Sequence, residues 1–202
     1  MLRLNARAVS AALLITTTMC AAWPAAAELE TRLVTPFGEV SATGPVAVQI
    51  AIGAEHALQV DGASINTKVS GSRLEISATA AGKVIVTLPR LDALALAGGS
   101  QAQLADLAGG STRMKIADAS QVTASGAVDT LDVTVTGTGQ AQLGELAAGE
   151  ASVNVRGSGG VVVQARNKLA VLIAGKGTVE HVGKPLQGTD VTITGGGRVT
   201  QR

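Results

Sequence analysis

From residue 91 onward apolar residues recur at alternate positions in short runs, and the runs repeat at a nearly constant interval. Six of them align on one turn position, occupied by Gly98, Asp118, Gly137, Gly157, Gly175 and Gly195, at steps of 20, 19, 20, 18 and 20 residues. Two residues before the turn stand Leu96, Ile116, Val135, Val155, Ile173 and Ile193, and four before stand Leu94, Met114, Val133, Val153, Val171 and Val191. The intervening Ala95, Lys115, Thr134, Asn154, Leu172 and Thr192 are mostly small or polar. Such alternation predicts a strand with one buried face. Four residues after the turn, Ala102, Val122, Ala141, Val161, Val179 and Val199 resume the apolar pattern. Each unit therefore reads as strand, tight turn, strand and a longer return such as 144–150.

A unit of about 20 residues cannot bury a core alone; stacked, its apolar positions form continuous columns. The prediction is an all-β fold, a parallel β-solenoid over 91–202. At ~4.8 Å per coil, six coils make a rod of roughly 25–30 Å. Gln101, Gln121 and Gln140 share one column and are expected to form an amide ladder. Arg113 and Asp132 share another, as a weak surface pair. An antiparallel sandwich with hairpins at the glycine turns is the competing architecture. It supplies no reason for a fixed step with identical columns.

Residues 28–90 are strand-like but irregular. Val46, Val48, Ile50 and Ile52 alternate, as do Leu58 with Val60, Leu74 with Ile76 and Val84 with Val86, between turn residues such as Pro36, Gly44, Gly62 and Gly71. This part is expected to continue the sheets and cap the first coil, whose edge would otherwise stay unpaired. The far end is expected to close with Gly195-Gly196-Gly197, followed by Arg198 and Arg202, whose charges discourage edge-to-edge growth.

The beginning of the chain changes the compartment. Arg3 and Arg7, an apolar run over 8–15 and Ala25-Ala26-Ala27 before Glu28 have the three parts of a secretory signal, so 1–27 reads as a leader. Its apolar run is shorter than the roughly 20 residues a membrane-spanning helix needs, and no later stretch reaches that length. The only cysteine, Cys20, raises a lipid-attachment reading, against which stands Met19 where such signals favour a small residue. The mature chain, 28–202, then carries no cysteine and must hold itself together by burial and backbone pairing. Losing Arg3 and Arg7 turns the formal charge of +1 into −1, which excludes a strongly basic nucleic-acid binder. One Trp, one Phe and no Tyr exclude stacking platforms for bases or sugars.

The order Phe37-Gly38-Glu39-Val40, the strand 46–53, Leu74-Glu75-Ile76, and Val84 through Leu88-Pro89-Arg90-Leu91, followed by Gly137-Thr138-Gly139, Gly157-Ser158-Gly159 and Gly175-Lys176-Gly177, resembles the bacterial family called putative auto-transporter adhesin, head GIN domain. The likeness runs from about Thr31 to Thr200, making 28–202 a single domain of that type. Two coils depart from the motif: Gly98-Gly99-Ser100 lacks the last glycine and Asp118-Ala119-Ser120 lacks both. Asp tolerates the left-handed backbone better than most residues, so the turn is expected to survive at Asp118. The resemblance implies an exported envelope protein with an adhesive role. It brings no catalytic or ligand-binding residues.

The residues offer little chemistry of their own. The glycine turns precede strands rather than helices, so they do not make phosphate loops, and Gly183-Lys184-Pro185 lacks the hydroxyl neighbour such a loop needs. His56 and His181, the only imidazoles, have no companions for a zinc site, and the turns offer too few carboxylates for Ca²⁺. Asp132 and Asp190 share a column three coils apart, and Asp118 stands alone at its turn. Leu172 and Val162 point outward near Arg156 and Lys176, as a small apolar contact spot. No catalytic, cofactor-binding or metal residue is assigned. The expectation is an exported, non-enzymatic binding protein, adhesin-like or an envelope scaffold, whose rigid repetitive surface meets a cell-surface component, an envelope component or a polysaccharide. The alternatives are a polysaccharide-processing β-helix enzyme and a structural protein that self-associates end to end. The solenoid and its cap leave no room for an autotransporter barrel, so surface anchoring requires another protein; otherwise the product stays periplasmic.

Overall fold

The computed structural model describes residues 30–32 and 34–202. The leader, its cleavage site and Cys20 lie outside the described residues. Every element is a strand, and neighbouring coils of the repeat pair in parallel and in register. Leu96, Ile116, Val135, Val155, Ile173 and Ile193 follow one another as backbone partners, and so do Ala102, Val122, Ala141, Val161, Val179 and Val199. The fold is a β-solenoid of about 20-residue coils. The strand before each turn builds one row and the strand after it builds a second, with the apolar columns enclosed between them. Val133, Val135, Val153 and Val155 are at most 1% exposed, which is the continuous interior that single coils could not supply.

The N-terminal part contributes two more coils, in an order the chain does not follow. The strands Glu39–Thr43 and Val46–Ile52 pair directly with Ala93–Ala97 and Gln101–Ala108. On their other side they pair with the later strands Arg73–Ala78 and Gly82–Leu88. Coil 39–52 is therefore held between coil 73–88 and coil 93–108. To reach its place, the chain leaves Leu88, passes over coil 39–52 through Pro89-Arg90-Leu91, and re-enters at Ala93. Leu91 is buried, Asp92 N–H donates to the Gly38 carbonyl at 2.8 Å, and Thr112 Oγ1 donates to the Leu91 carbonyl at 3.2 Å.

The first coil is covered by strands that run the other way. Ala57–Asp61 and Ile65–Ser70 pair antiparallel with Gly82–Leu88 and Arg73–Ala78, and the three-residue Glu30–Arg32 lies beyond Ala57–Asp61. A short edge strand on one row and a Lys68-bearing edge on the other discourage further pairing. Arg32 ties the two rows together at this end, donating to Thr67 Oγ1 at 2.7 Å and pairing with Glu30, whose carboxyl its guanidinium holds below the usual range.

The far end is not closed in the same way. Val191 and Ile193, which face inward by column, are each 40% exposed, and among the described residues no strand pairs with the outer side of Thr189–Thr194. Of the two expected arginines, Arg198 is exposed on the edge strand Arg198–Gln201, and Arg202 reaches back to Glu180 at 3.7 Å.

The turn column carries a positive φ throughout: 69° at Gly98, 58° at Asp118, 87° at Gly137, 127° at Gly157, 130° at Gly175 and 117° at Gly195. Asp118 keeps the left-handed turn, and its Oδ2 also accepts from the Gly98 N–H of the preceding coil at 2.9 Å. At Gly157 there is no room for a substitute, since a Cβ would stand 2.5 Å from the Gly137 carbonyl oxygen. Gly157→Ala is expected to lower stability by about 2 kcal/mol, whereas Asp118→Gly loses only a hydrogen bond, about 1 kcal/mol. Denaturant titration of the two variants checks the ranking.

Two positions further on, serine replaces glycine in two coils. Ser100 Oγ lies 2.7 Å from the Ala97 carbonyl and 2.8 Å from the Gly44 carbonyl, while the equally buried Ser120 Oγ has no partner. Ser120→Ala is expected to raise the melting temperature by about 2–4 °C, through relief of roughly 1 kcal/mol. Ser100→Ala should lower it, and thermal melts of both variants compare the two.

Candidate functional site

The two rows present different outer faces. On the first-strand row the outward columns carry charges of both signs, including Arg73, Glu39, Arg113, Asp132, Lys115 and Asp190. Several neutralise one another down a column: Arg73 with Glu39 at 2.8 Å and Arg113 with Asp132 at 3.8 Å. Both pairs are substantially exposed, so they add little stability. They do make this face polar and self-paired.

On the second-strand row two outward columns are uncharged over their middle, with Glu145 beside them. One outward column runs Ala47, Gln101, Gln121, Gln140, Gly160. The column beside it runs Gln49, Gln103, Thr123, Gln142, Val162. Charges return only toward the ends, at Lys83 on one side and at Glu180 and Arg198 on the other. The expected amide ladder is not formed: Gln101, Gln121 and Gln140 are in register, but Gln140 Nε2 turns to the Thr138 carbonyl at 3.5 Å. Outward residues stand clear of the interior with solvent as a competing partner, so register alone does not join their amides. A glutamine–glutamine bond occurs instead in the second column, from Gln49 Nε2 to Gln103 Oε1 at 3.5 Å.

Alongside these columns the sheet folds into a crease. The register slips between Thr123 and Ser125 and between Leu143 and Ala147, and such bulges bend a strand and hollow its outer surface. A cleft of about 350 Å³ lies over Gln49, Ala51, Ile85, Gln103 and Ala105. A second, of about 410 Å³, lies over Gln142, Gly144, Val162, Val182 and Arg202. Both are lined by Thr123 and Glu145, so they adjoin. Ala51, Ala105 and Gly144 keep the floor low because they have almost no side chain.

Of the residues singled out from sequence, Gln101, Gln121, Gln140 and Val162 lie on this face, and the others fall elsewhere. His181 is buried in its column, with Nδ1 3.2 Å from the Gly183 carbonyl, and His56 Nε2 lies 3.0 Å from the Phe37 carbonyl, its ring edge-on to Phe37. Asp118 is spent on the turn and Asp132 on Arg113. Asp190 shares the column of Asp132 with two coils between them. Leu172 and Val162 are not one spot: Leu172 sits on the first row beside Asn154 and Thr192, Val162 on the second beside Gln142 and Glu180. The alternation that turns both outward is the same in either strand and does not tell the rows apart. Sequence reasoning found the Gln101 column and missed the Gln49–Gln142 column. Its signal was the second glutamine two residues on, at 103 and 142.

Among the described residues no three His, Cys, Asp or Glu side chains converge on a metal position, and no helix is long and apolar enough to cross a membrane. The arrangement suits binding through many neutral polar groups on a rigid surface.

The chain is similar to several solved structures. One, described as a putative adhesin from Bacteroides fragilis NCTC 9343, is 17% identical, with 88% of this chain and 98% of that one aligned at a TM-score of 0.65. Another, described as a putative lipid binding protein from Parabacteroides distasonis ATCC 8503, is 16% identical, covering 87% and 96% at 0.54. At these identities the likeness is one of fold. No curated protein matches the chain. Residues 36–185 match a family model, and with three quarters of the sequence inside it the chain belongs to the family described as "Putative auto-transporter adhesin, head GIN domain".

Proposed function

We propose that the protein is an exported, adhesin-like binding protein that holds its partner on the second-strand face and catalyses no reaction. The observation that carries this reading is the contrast between rows: two uncharged columns in register across five coils on one face, with amide or hydroxyl groups over the middle coils, and charges of both signs, partly ion-paired, on the other. Membership of an adhesin-named family and the leader-like first 27 residues support export and adhesion. Polysaccharide processing is disfavoured by spacing. Asp132 and Asp190 are three strand steps apart, ~14 Å, beyond the ~5–9.5 Å used by paired glycosidase carboxylates.

In the producing cells the mature protein is expected outside the cytoplasm, with Glu28 as its first residue by mass spectrometry. Isolated cell envelopes should retain it. Replacing Gln49, Gln103 and Gln142 together by Glu should weaken retention by about tenfold or more, while Lys115→Glu on the opposite row leaves it unchanged. Equal retention of both variants would refute the assignment of the face.

A second contact is favoured by the exposure of Val191 and Ile193 on the last coil. Pairing of this coil with its counterpart in another copy would cover them. Light scattering should then find dimers at high concentration, abolished by Ile193→Lys. A monomer at every concentration removes this contact.

A further inference from the structure

Resting on the adhesin reading of the same face, we infer that the glutamine columns and their crease form a lane for an uncharged, polyhydroxylated chain, a neutral polysaccharide lying along the stacking axis. The argument begins with unused hydrogen-bonding capacity. A primary amide offers two donors and a carbonyl acceptor, the complement of a sugar hydroxyl that both gives and accepts. Gln101, Gln103, Gln121, Gln140 and Gln142 are all exposed. The bonds they make within the described protein are the two at 3.5 Å, Gln49 to Gln103 and Gln140 to Thr138. Most of their donors and acceptors are left to solvent or a ligand.

Charge then narrows the class. Over five coils neither column carries a charge; in the crease Glu145 repels a polyanion, and Arg202 at its far end faces Glu180 at 3.7 Å. Shape narrows it again. The lane crosses the middle of a sheet whose backbone groups are already paired, so an extended peptide finds no strand edge to join. The crease is shallow and open, so it cannot enclose an acyl chain as a lipid pocket does. Ala51, Ala105, Ile85, Val162 and Val182 give it a low apolar lining for the C–H faces of sugar rings. Contact here is by hydrogen bonds and small apolar patches; among the described residues the one phenyl ring, Phe37, is buried and offers no stacking surface. From Gln49 to Gln142 polar groups recur at one coil spacing, so a polymer gains a similar weak contact at each of those three steps, with apolar contacts beyond them at Ile85, Val162 and Val182. From Ile85 to Val182 the lane covers six steps, about 29 Å. Affinity should therefore rise with oligosaccharide length until that span is filled.

The test measures retention of the mature protein on dextran, mannan and a mixed-linkage β-glucan. Alginate and phosphatidylglycerol vesicles are the charged and lipid comparisons, with cell envelopes run in parallel. The expected result is retention on at least one neutral polymer, undiminished by high salt. Gln103→Ala with Gln142→Ala should weaken it about tenfold, and Ala105→Arg, which fills the crease, should block it. Far-UV circular dichroism and melts establish that these variants are folded; should the double variant unfold, Ala105→Arg and the length series decide. Retention on envelopes but on none of the neutral polymers overturns this inference and leaves the adhesin reading intact. Retention on vesicles or alginate alone, lost in Ala105→Arg, overturns it in favour of a lipid or an acidic polymer. Failure on envelopes and polymers alike overturns both.

Discussion

In-register parallel pairing between coils is the constraint from which the rest of the molecule follows. Each residue meets, one strand spacing away, the residue at the same place in the next coil. Inside, this forces like onto like: Val133 on Val153 on Val171, Val135 on Val155 on Ile173. Side chains of similar shape stack without voids, and a coil too small to hold a core becomes one slice of a long one. At the corners the same constraint stacks turns, so a Cβ at Gly157 would strike the carbonyl oxygen of Gly137 and one at Gly175 that of Gly157, each at 2.5 Å. With no cysteine after Cys20, covalent bridging contributes nothing to this end of the balance.

Outside, the constraint has a different product. A column of outward residues is a stripe, and its chemistry is whatever the repeat places there. On the first-strand row one stripe pairs Arg73 with Glu39 and Arg113 with Asp132, and further charges stand at Lys115 and Asp190. On the second-strand row the stripes carry amides and hydroxyls whose bonding capacity is largely unspent. Since backbone and interior are held by the same columns, the outer groups are presented at fixed spacing by a stiff support. That is a useful property in a binding surface, because little conformational entropy remains to be lost on contact.

Much of this architecture was legible in the amino-acid order. The six turn positions, both inward columns and the pairing of Arg113 with Asp132 could be read directly, because a repeat states its own register. The placement of coil 39–52 could not. Its alternation at Val46, Val48 and Ile50 marks a strand but not the neighbour of that strand, and sequence adjacency points to the wrong one. Gln49 therefore could not be joined to Gln103 before the fold was known. The crease was equally hidden, since it depends on where register slips at Thr123 and Leu143. Column reasoning assumes that no such slip occurs. The rows on which Leu172 and Val162 lie were lost for a simpler reason, as period-two alternation looks the same on both.

The passage through Pro89, Arg90 and Leu91 has a temporal consequence. A solenoid whose coils stack in chain order can zip from its first turn as it leaves the ribosome or a translocation pore. Here coil 39–52 has no neighbouring coil until residues 73–88 have followed it, and lacks its second until 93–108. The earliest coil to emerge must wait with both edges bare, and its closure brings together segments some fifty residues apart. Contacts of that separation are slow to form. Assembly of this end is thus governed by the arrival of the crossover, and a chain arrested before Leu91 would present open strand edges to whatever holds nascent chains in that compartment.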